Sequence, residues 1–225
     1  MNQVTMRKMC GIGILGGLLF AIGDWLIYLL PNYRNQSQIY DDWIQMNNFR
    51  LAFSVYLGCI GALLLLFGFY SWYLAIRENA TMLQKMCMSI IAFGIMLTPI
   101  GHFVIACIKP IAYKVAIQSG SEKELAMNIM ENWNYYTGPI RLFEMAVVIL
   151  VQSIVMIVSI LKRQINCSKW MVICNPLAFI LLSIPVSILL NGTGFEGLAE
   201  AFESIGEGFI YLPVYFHWKK HARIK

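Results

Sequence analysis

The glutamates of the C-terminal region form an acidic stripe. Glu196, Glu200, Glu203 and Glu207 follow one another at intervals of four, three and four residues. On an α-helix these intervals place the four side chains within an arc of roughly 60°, and Tyr211 continues the same face. Carboxylates gathered in this way can bind a cation or share protons, because like charges in a medium of low dielectric cannot all ionise.

A second set of polar residues lies inside otherwise apolar stretches. Asp24 precedes Tyr28 by one helical turn, and Arg141 precedes Glu144 by three residues. His102 completes the set, and its imidazole titrates near neutral pH. These side chains offer acid–base groups and ligand contacts, while the alternative for each residue is a hydrogen bond that only joins two helices.

The composition of the chain identifies the elements that must position these residues. Of its 225 residues, 59% are hydrophobic and 13% are charged, and its mean hydropathy is +0.64. Soluble domains average roughly 45–50% apolar and about 25% charged residues. The excess of apolar residues excludes an ordinary soluble enzyme, a disordered chain and a coiled coil, and it predicts a polytopic membrane protein.

Six apolar stretches are long enough to cross a bilayer, which takes about 20 residues at 1.5 Å each. They cover residues 9–30, 49–76, 86–108, 139–161, 170–190 and 196–218. The last stretch is the weakest, because its first half carries the acidic stripe. We expect an all-α fold, in which residues 1–225 form a single integral membrane domain with six transmembrane helices.

The distribution of the 17 Lys and Arg residues predicts the orientation of this bundle. Most of them lie on short segments on the side of the N-terminus. They are Arg7, Lys8, Arg77, Lys85, Lys162, Arg163, Lys169, Lys219, Lys220, Arg223 and Lys225. The positive-inside rule therefore places both termini in the cytoplasm, with the protein in the plasma membrane. The net charge of +5 is explained by this orientation, and no nucleic-acid partner is expected.

The predicted topology brings the polar residues to a common depth. Asp24, His102, Glu144 and the acidic stripe lie on four different helices, and most of them fall within about 6–17 Å of the outer surface. Because charged side chains in membranes usually face the bundle interior, we expect a polar cavity in the outer half. We also expect short interfacial helices in the outer connections at residues 39–46 and 121–133, the second opening on a capping box.

Several short motifs do not indicate chemistry in this context. Residues 11–16 spell the GxGxxG pattern of dinucleotide-binding loops, but they lie in a predicted membrane helix, where Gly13 and Gly17 indicate close packing. The six cysteines include no CxxC pair and suit buried apolar positions. The first apolar stretch runs on to Leu30, which favours an uncleaved helix over a signal peptide.

Four short motifs carry a resemblance to a known group of proteins. They are Gly23-Asp24-Trp25, Gly101-His102, Asn175-Pro176 and Glu203-Ser204-Ile205-Gly206-Glu207. Together they make the chain similar to a family of uncharacterised bacterial multi-pass membrane proteins, over nearly its whole length. The resemblance implies a six-helix integral membrane protein of bacterial origin and no known activity.

Three functional hypotheses follow. In the first, the cavity binds or transports a cation or a small amphiphile such as a lipid. In the second, the protein is a membrane-embedded enzyme that performs acid–base or metal-assisted chemistry on a lipid-like substrate. The metal ligands in that case would be His102, Asp24, Glu203 and Glu207. In the third, the protein is a structural or accessory subunit, and the polar contacts only stabilise the packing of its helices. A homodimer is compatible with each hypothesis, and the sequence indicates no particular cofactor.

Overall fold

The computed structural model describes residues 2–32 and 38–221, and every regular element within these ranges is a helix. In chain order the helices are α1 (Gln3–Tyr28), α2 (Ile39–Gln45), α3 (Asn48–Ile76), α4 (Met82–Gln118), α5 (Lys123–Leu161), α6 (Pro176–Leu189), α7 (Phe202–Phe209) and α8 (Leu212–His221). Helices α1, α3, α4 and α5 are long and apolar enough to cross a membrane. The all-helical fold class is thus confirmed, with four long apolar helices.

The last two predicted membrane helices are shorter than the apolar stretches that predicted them. The fifth stretch begins with the 3-10 turn Lys169–Ile173, and α6 starts only at Pro176. Asn175 fixes this start, because its side chain accepts a hydrogen bond from the Ala178 N–H at 3.1 Å and proline suits a first turn. The sixth stretch is divided into the 3-10 turn Glu196–Ala201, α7 and α8.

One of the two predicted outer helices forms a separate element and the other does not. Helix α2 lies in the first outer connection, where Tyr40 and Trp43 pack against the Tyr113 ring of α4. The second connection holds no separate interfacial helix, because α5 continues without interruption through this segment into the apolar stretch. The expected capping box is also wrong, since Glu122 occupies the N-cap position and its side chain makes no capping bond.

Helix α1 packs closely against both α3 and α7 through glycines. A Cβ atom at Gly23 would lie only 2.7 Å from the backbone nitrogen of Gly58 in α3. At Gly17 a Cβ atom would lie 2.3 Å from the Cα atom of Gly208 in α7. Small residues permit such close approach of helices. As a result, the C-terminal end of α1, which carries Asp24, lies between α3 and α7.

The main apolar core fills the opposite end of the bundle. Trp72, Ile91 and Met156 are fully buried there. Large apolar side chains are also exposed on the exterior of the bundle. Ile188 and Leu189, for example, are 68% and 79% exposed. An apolar surface of this kind is expected where helices contact lipid.

Candidate functional site

A small cavity collects most of the residues that the sequence singles out. It has a volume of about 120 Å³ and lies between α1, α4, α5, α7 and the 3-10 turn that precedes α7. Eight of the nine predicted cavity residues line it. These are Asp24, Tyr28, His102, Arg141, Glu144, Glu200, Glu203 and Glu207. We refer to this space as the acidic cavity.

Asp24 is bound on both of its carboxylate oxygens. His102 Nδ1 lies 3.2 Å from Asp24 Oδ1, and both side chains are almost completely buried. The Ser204 hydroxyl donates a hydrogen bond to Asp24 Oδ2. Helices α1, α4 and α7 are therefore joined at this one carboxylate.

The other edge of the His102 ring is also occupied. Nε2 lies 3.2 Å from the backbone carbonyl oxygen of Ser54 and 3.3 Å from the Cys107 sulfur. A carboxylate and a carbonyl oxygen only accept hydrogen bonds, so the two ring nitrogens face the acceptors that a doubly protonated imidazolium satisfies. The geometry therefore describes a buried ion pair of His102 and Asp24, which forms one wall of the acidic cavity.

Two π-helical turns lie next to the cavity. One covers His102–Cys107 in α4, and the other covers Met145–Val151 in α5, directly after Glu144. A π turn aligns residues five apart, whereas five residues along an α-helix turn the side chain by about 140°. The first π turn is thus the reason that Cys107 can contact the His102 ring. Such turns are frequent at functional sites.

Two glycines make room for the side chains of the site. A Cβ atom at Gly58 would lie 2.0 Å from His102 Nε2. A Cβ atom at Gly101 would lie 1.8 Å from Glu144 Oε1. Any larger residue would overlap the imidazole or the carboxylate, so the present geometry requires glycine at both positions.

Two buried carboxylate oxygens on residues that line the cavity have no hydrogen-bond partner within the described part of the chain. They are Glu144 Oε1 and Glu207 Oε2, and Glu207 is only 2% exposed. Glu203 lies close enough to both side chains to interact with them electrostatically. A buried polar atom without a partner costs free energy unless a ligand, a water molecule or a proton satisfies it. The acids outnumber the bases here, since Arg141 is the remaining lining cation once His102 is paired with Asp24.

Tyr211 and Glu196 lie outside the cavity. The ring of Tyr211 packs against Gly13 and Gly68 instead. Glu196 accepts a hydrogen bond of 2.6 Å from the Gly192 N–H and so closes the preceding turn. The physical reason is that the acidic stripe does not continue along one regular helix, because a 3-10 turn precedes α7 and the helix is interrupted before α8.

The suggested metal site is not assembled. The described residues contain no group of three or more His, Cys, Asp or Glu side chains arranged to hold a metal ion. His102 and Asp24 were two of the four suggested ligands, and they are engaged with each other. Glu203 and Glu207 remain as neighbouring acids without a nitrogen ligand.

Sequence reasoning missed four residues that complete the site. Ser54, Gly58 and Cys107 contact His102, and Ser204 contacts Asp24. Ser204 had a sequence signal, because it lies among the acids of the stripe. The other three had none, because they reach the site only through helix packing and through the π turn.

Two further cavities adjoin the acidic cavity, and both share Arg141 and Glu200 with it. One has a volume of about 340 Å³ and lies between α5, α6 and the start of α7. The other has a volume of about 220 Å³ and lies beneath α2. The acidic cavity is therefore bordered by two further spaces, and Arg141 and Glu200 lie at both borders.

Comparison with known proteins identifies a family and no activity. Curated proteins and solved structures give no match. A family model described as a family of unknown function matches residues 1–221. This match confirms the expected membership of an uncharacterised family, while the bacterial origin stays a prediction. The chain belongs to DUF6796, a family of unknown function.

Proposed function

We propose that the protein crosses the plasma membrane of a bacterial cell six times, with both termini in the cytoplasm. The four long apolar helices support four of the crossings, and the apolar helix α6 supports a fifth. Helices α7 and α8 follow one another closely and supply the sixth. Arg223 and Lys225, which belong to the predicted charge pattern, lie outside the described residues.

We further propose that the acidic cavity binds a cation that carries N–H groups, such as a primary ammonium group. The observation that carries this proposal is the pair of unpartnered oxygens, Glu144 Oε1 and Glu207 Oε2, in a cavity where acids outnumber bases. An ammonium group brings three donors and a positive charge to one point. It would satisfy both oxygens and reduce the repulsion among the acids.

The size and arrangement of the cavity restrict the kind of cation. A volume of about 120 Å³ is well below the roughly 300–1,000 Å³ of pockets for drug-sized ligands. The cavity therefore suits a small polar group rather than a whole large ligand. A bare metal ion is less suitable, because the described carboxylates and histidine are not arranged to coordinate one.

The state of His102 favours binding over acid–base catalysis. Asp24 occupies one ring nitrogen and the Ser54 carbonyl occupies the other. Neither nitrogen is therefore open to exchange a proton with a substrate.

Thermal unfolding of the purified protein in detergent tests the binding proposal, with methylammonium chloride as the probe. At a concentration a hundredfold above Kd, binding stabilises the folded state by about 2.7 kcal/mol, which raises Tm by roughly 5–10 °C for a chain of this size. Sodium and tetramethylammonium chloride have no N–H donors and should give much smaller shifts. Protons should be released on binding in weakly buffered solution, because the clustered acids share them.

Variants connect this result to the unpartnered oxygens. Glu207→Gln and Glu144→Gln should each remove most of the methylammonium-induced shift. Glu124→Gln is the control, because Glu124 is exposed in the first turn of α5 and far from the cavity lining. Equal shifts with methylammonium and tetramethylammonium, or a full shift in Glu207→Gln, would contradict the proposal.

A further inference from the structure

A second cavity lies beside the acidic cavity, toward the side of the bundle. The neighbouring cavity of about 340 Å³ shares four lining residues with it. These are Arg141, Met145, Glu200 and Glu203. We call this neighbouring cavity the lateral groove. Its other wall is formed by α6, through Ile180, Ser183, Ile184, Ser187 and Ile188.

The α6 wall of the lateral groove is a single stripe of the helix. Its residues recur at the i, i+3, i+4, i+7 and i+8 positions that define one helical face, and the stripe is about 12 Å long. Ile184 and Ile188 are 53% and 68% exposed. The groove is thus uncovered by protein along this wall, and in a membrane its open side meets the acyl chains of lipids.

One basic side chain, Arg141, lies where the groove meets the acidic cavity, together with the acids Glu200 and Glu203. Arg141 lines the acidic cavity, the lateral groove and the cavity beneath α2, and Lys109 lines the last of these. The two cations are close enough to repel each other. Neither forms a salt bridge with any described residue. Arg141 therefore lies between the acidic cavity and the apolar α6 wall of the groove, with Lys109 near it.

We propose that the ligand is an ethanolamine phospholipid that enters from the membrane through the lateral groove. Its ammonium group lies in the acidic cavity, its phosphate contacts Arg141 with Lys109 nearby, and one acyl chain lies along α6. This inference rests on the proposed function, because the ammonium group is the cation that the cavity binds. Guanidinium groups suit phosphate oxygens, since they donate two parallel hydrogen bonds.

The unpartnered oxygens decide which lipid head group fits. Glu144 Oε1 and Glu207 Oε2 have no hydrogen-bond partner among the described residues. An ethanolamine head group has three N–H donors, whereas a choline head group has the same charge and none. A purely anionic head group would offer Arg141 a phosphate but would leave the acids without a cation.

The head-group assignment is tested with two lysophospholipids that have the same acyl chain. Binding of lysophosphatidylethanolamine and lysophosphatidylcholine to the detergent-solubilised protein is measured by native mass spectrometry. The ethanolamine lipid should bind at least tenfold more tightly, the effect of one charge-assisted hydrogen bond. Equal affinities would overturn the assignment.

Substitution of Arg141 should have different effects on the affinities for two ligands. Arg141→Gln should weaken lysophosphatidylethanolamine about tenfold or more, because a charge-assisted contact with phosphate is lost. The same variant should leave methylammonium binding unchanged or stronger, because a repelling cation is removed. Arg77→Gln, at the exposed end of α3, is the control for loss of a cation. Loss of both ligands in Arg141→Gln would overturn the phosphate contact.

The lateral groove is tested by filling it. Ser187→Trp should weaken lysophosphatidylethanolamine at least tenfold and leave the soluble head group, phosphoethanolamine, within twofold of its affinity for the unmodified protein. Leu182→Trp, on another face of α6 at 50% exposure, should change neither. Ser183→Phe is a second, smaller obstruction for use if the first variant does not fold.

The experiments distinguish a failure of this inference from a failure of the proposed function on which it rests. Two outcomes would overturn the groove assignment: unchanged lysolipid binding in both groove variants, or equal affinities for phosphoethanolamine and the lysolipid. Neither outcome would affect the proposed function, provided that methylammonium binding still depends on Glu207. A protein that binds no methylammonium would instead overturn the proposed function itself.

Discussion

At the scale of single residues, the acidic cavity depends on positions that carry no functional group. Gly101 allows the Glu144 carboxylate to lie against the α4 backbone, and Gly58 does the same for the His102 ring on α3. Overpacking by one methyl group typically costs about 1–3 kcal/mol when the neighbour has to move. The positions of the imidazole and of the carboxylate therefore depend on the two glycines as well as on the hydrogen bonds of the site.

Gly101→Ala should impair ligand binding, because the added methyl group displaces the Glu144 carboxylate from the cavity wall. The methylammonium-induced rise in Tm should fall to a small fraction of that of the unmodified protein. Gly11→Ala is the matched control, since a Cβ atom there meets no atom within 4 Å. This control should gain about 0.5–1 kcal/mol of stability from its lower chain entropy and keep the full shift.

The losses of stability on removal of the two partners of the buried ion pair should not be additive. Asp24→Asn leaves the His102 imidazole without its carboxylate in a buried site, which typically costs about 3–5 kcal/mol. The double variant Asp24→Asn with His102→Gln should lose less than the sum of the two single variants. Thermal unfolding of the three proteins checks this, and additive losses would contradict a coupled pair.

At the scale of helices, the sequence predicted long apolar helices and the clustering of the polar residues, but neither helix ends nor local geometry. Helix α5 extends well beyond the apolar stretch that predicted it. A helix can continue through polar residues, and a hydropathy pattern does not detect that extension. The π turn His102–Cys107 has no sequence pattern, although it determines which side chains contact the imidazole. Asp24, His102 and Glu207 were predicted because an ionisable residue in an apolar stretch is easy to recognise. Ser54 and Gly58 give no such signal in the sequence.

The end of α1 is stabilised from α3 by a single side chain. Arg50 donates hydrogen bonds to the carbonyl oxygens of Leu26 and Leu29, both at 2.6 Å. These carbonyls have no partner within the helix itself, because the last turn leaves them free. Arg50 thus satisfies the helix end that immediately follows Asp24.

Arg50→Gln should lower stability by about 1.5–3 kcal/mol, because it removes charge-assisted bonds from the end of α1. Arg50→Lys should recover only part of the loss, since an ammonium group is a point charge and not a planar fork. Thermal unfolding measures both variants. The exposed Arg77→Gln is the control, and a loss of equal size there would show that the effect is one of net charge.

At the scale of the whole molecule, helix length alone supports four membrane crossings, whereas the apolar stretches of the sequence predict six. Helix α6 has 14 residues and a length of roughly 21 Å, which is less than the ~30 Å of a hydrocarbon core. The 3-10 turn before it has 5 residues and adds about 10 Å at ~2 Å per residue. The two elements together are therefore long enough to cross, which explains why an apolar stretch of the sequence need not appear as one long α-helix.

The number of crossings decides whether the acidic cavity can exist in the membrane, and protease access measures it. A protease recognition sequence is inserted after Gly120, Asn166 or Gly192, and intact cells are treated with the protease. With six crossings, the first and third insertions are cut and the second is cut only after the cells are opened. With four crossings, the third insertion is protected as well. We expect cleavage after Gly192, because the loop that follows it lies beside Pro31 at the outer end of α1. Protection there would separate Glu203 and Glu207 from Glu144 by the thickness of the membrane and would remove the physical basis of the site.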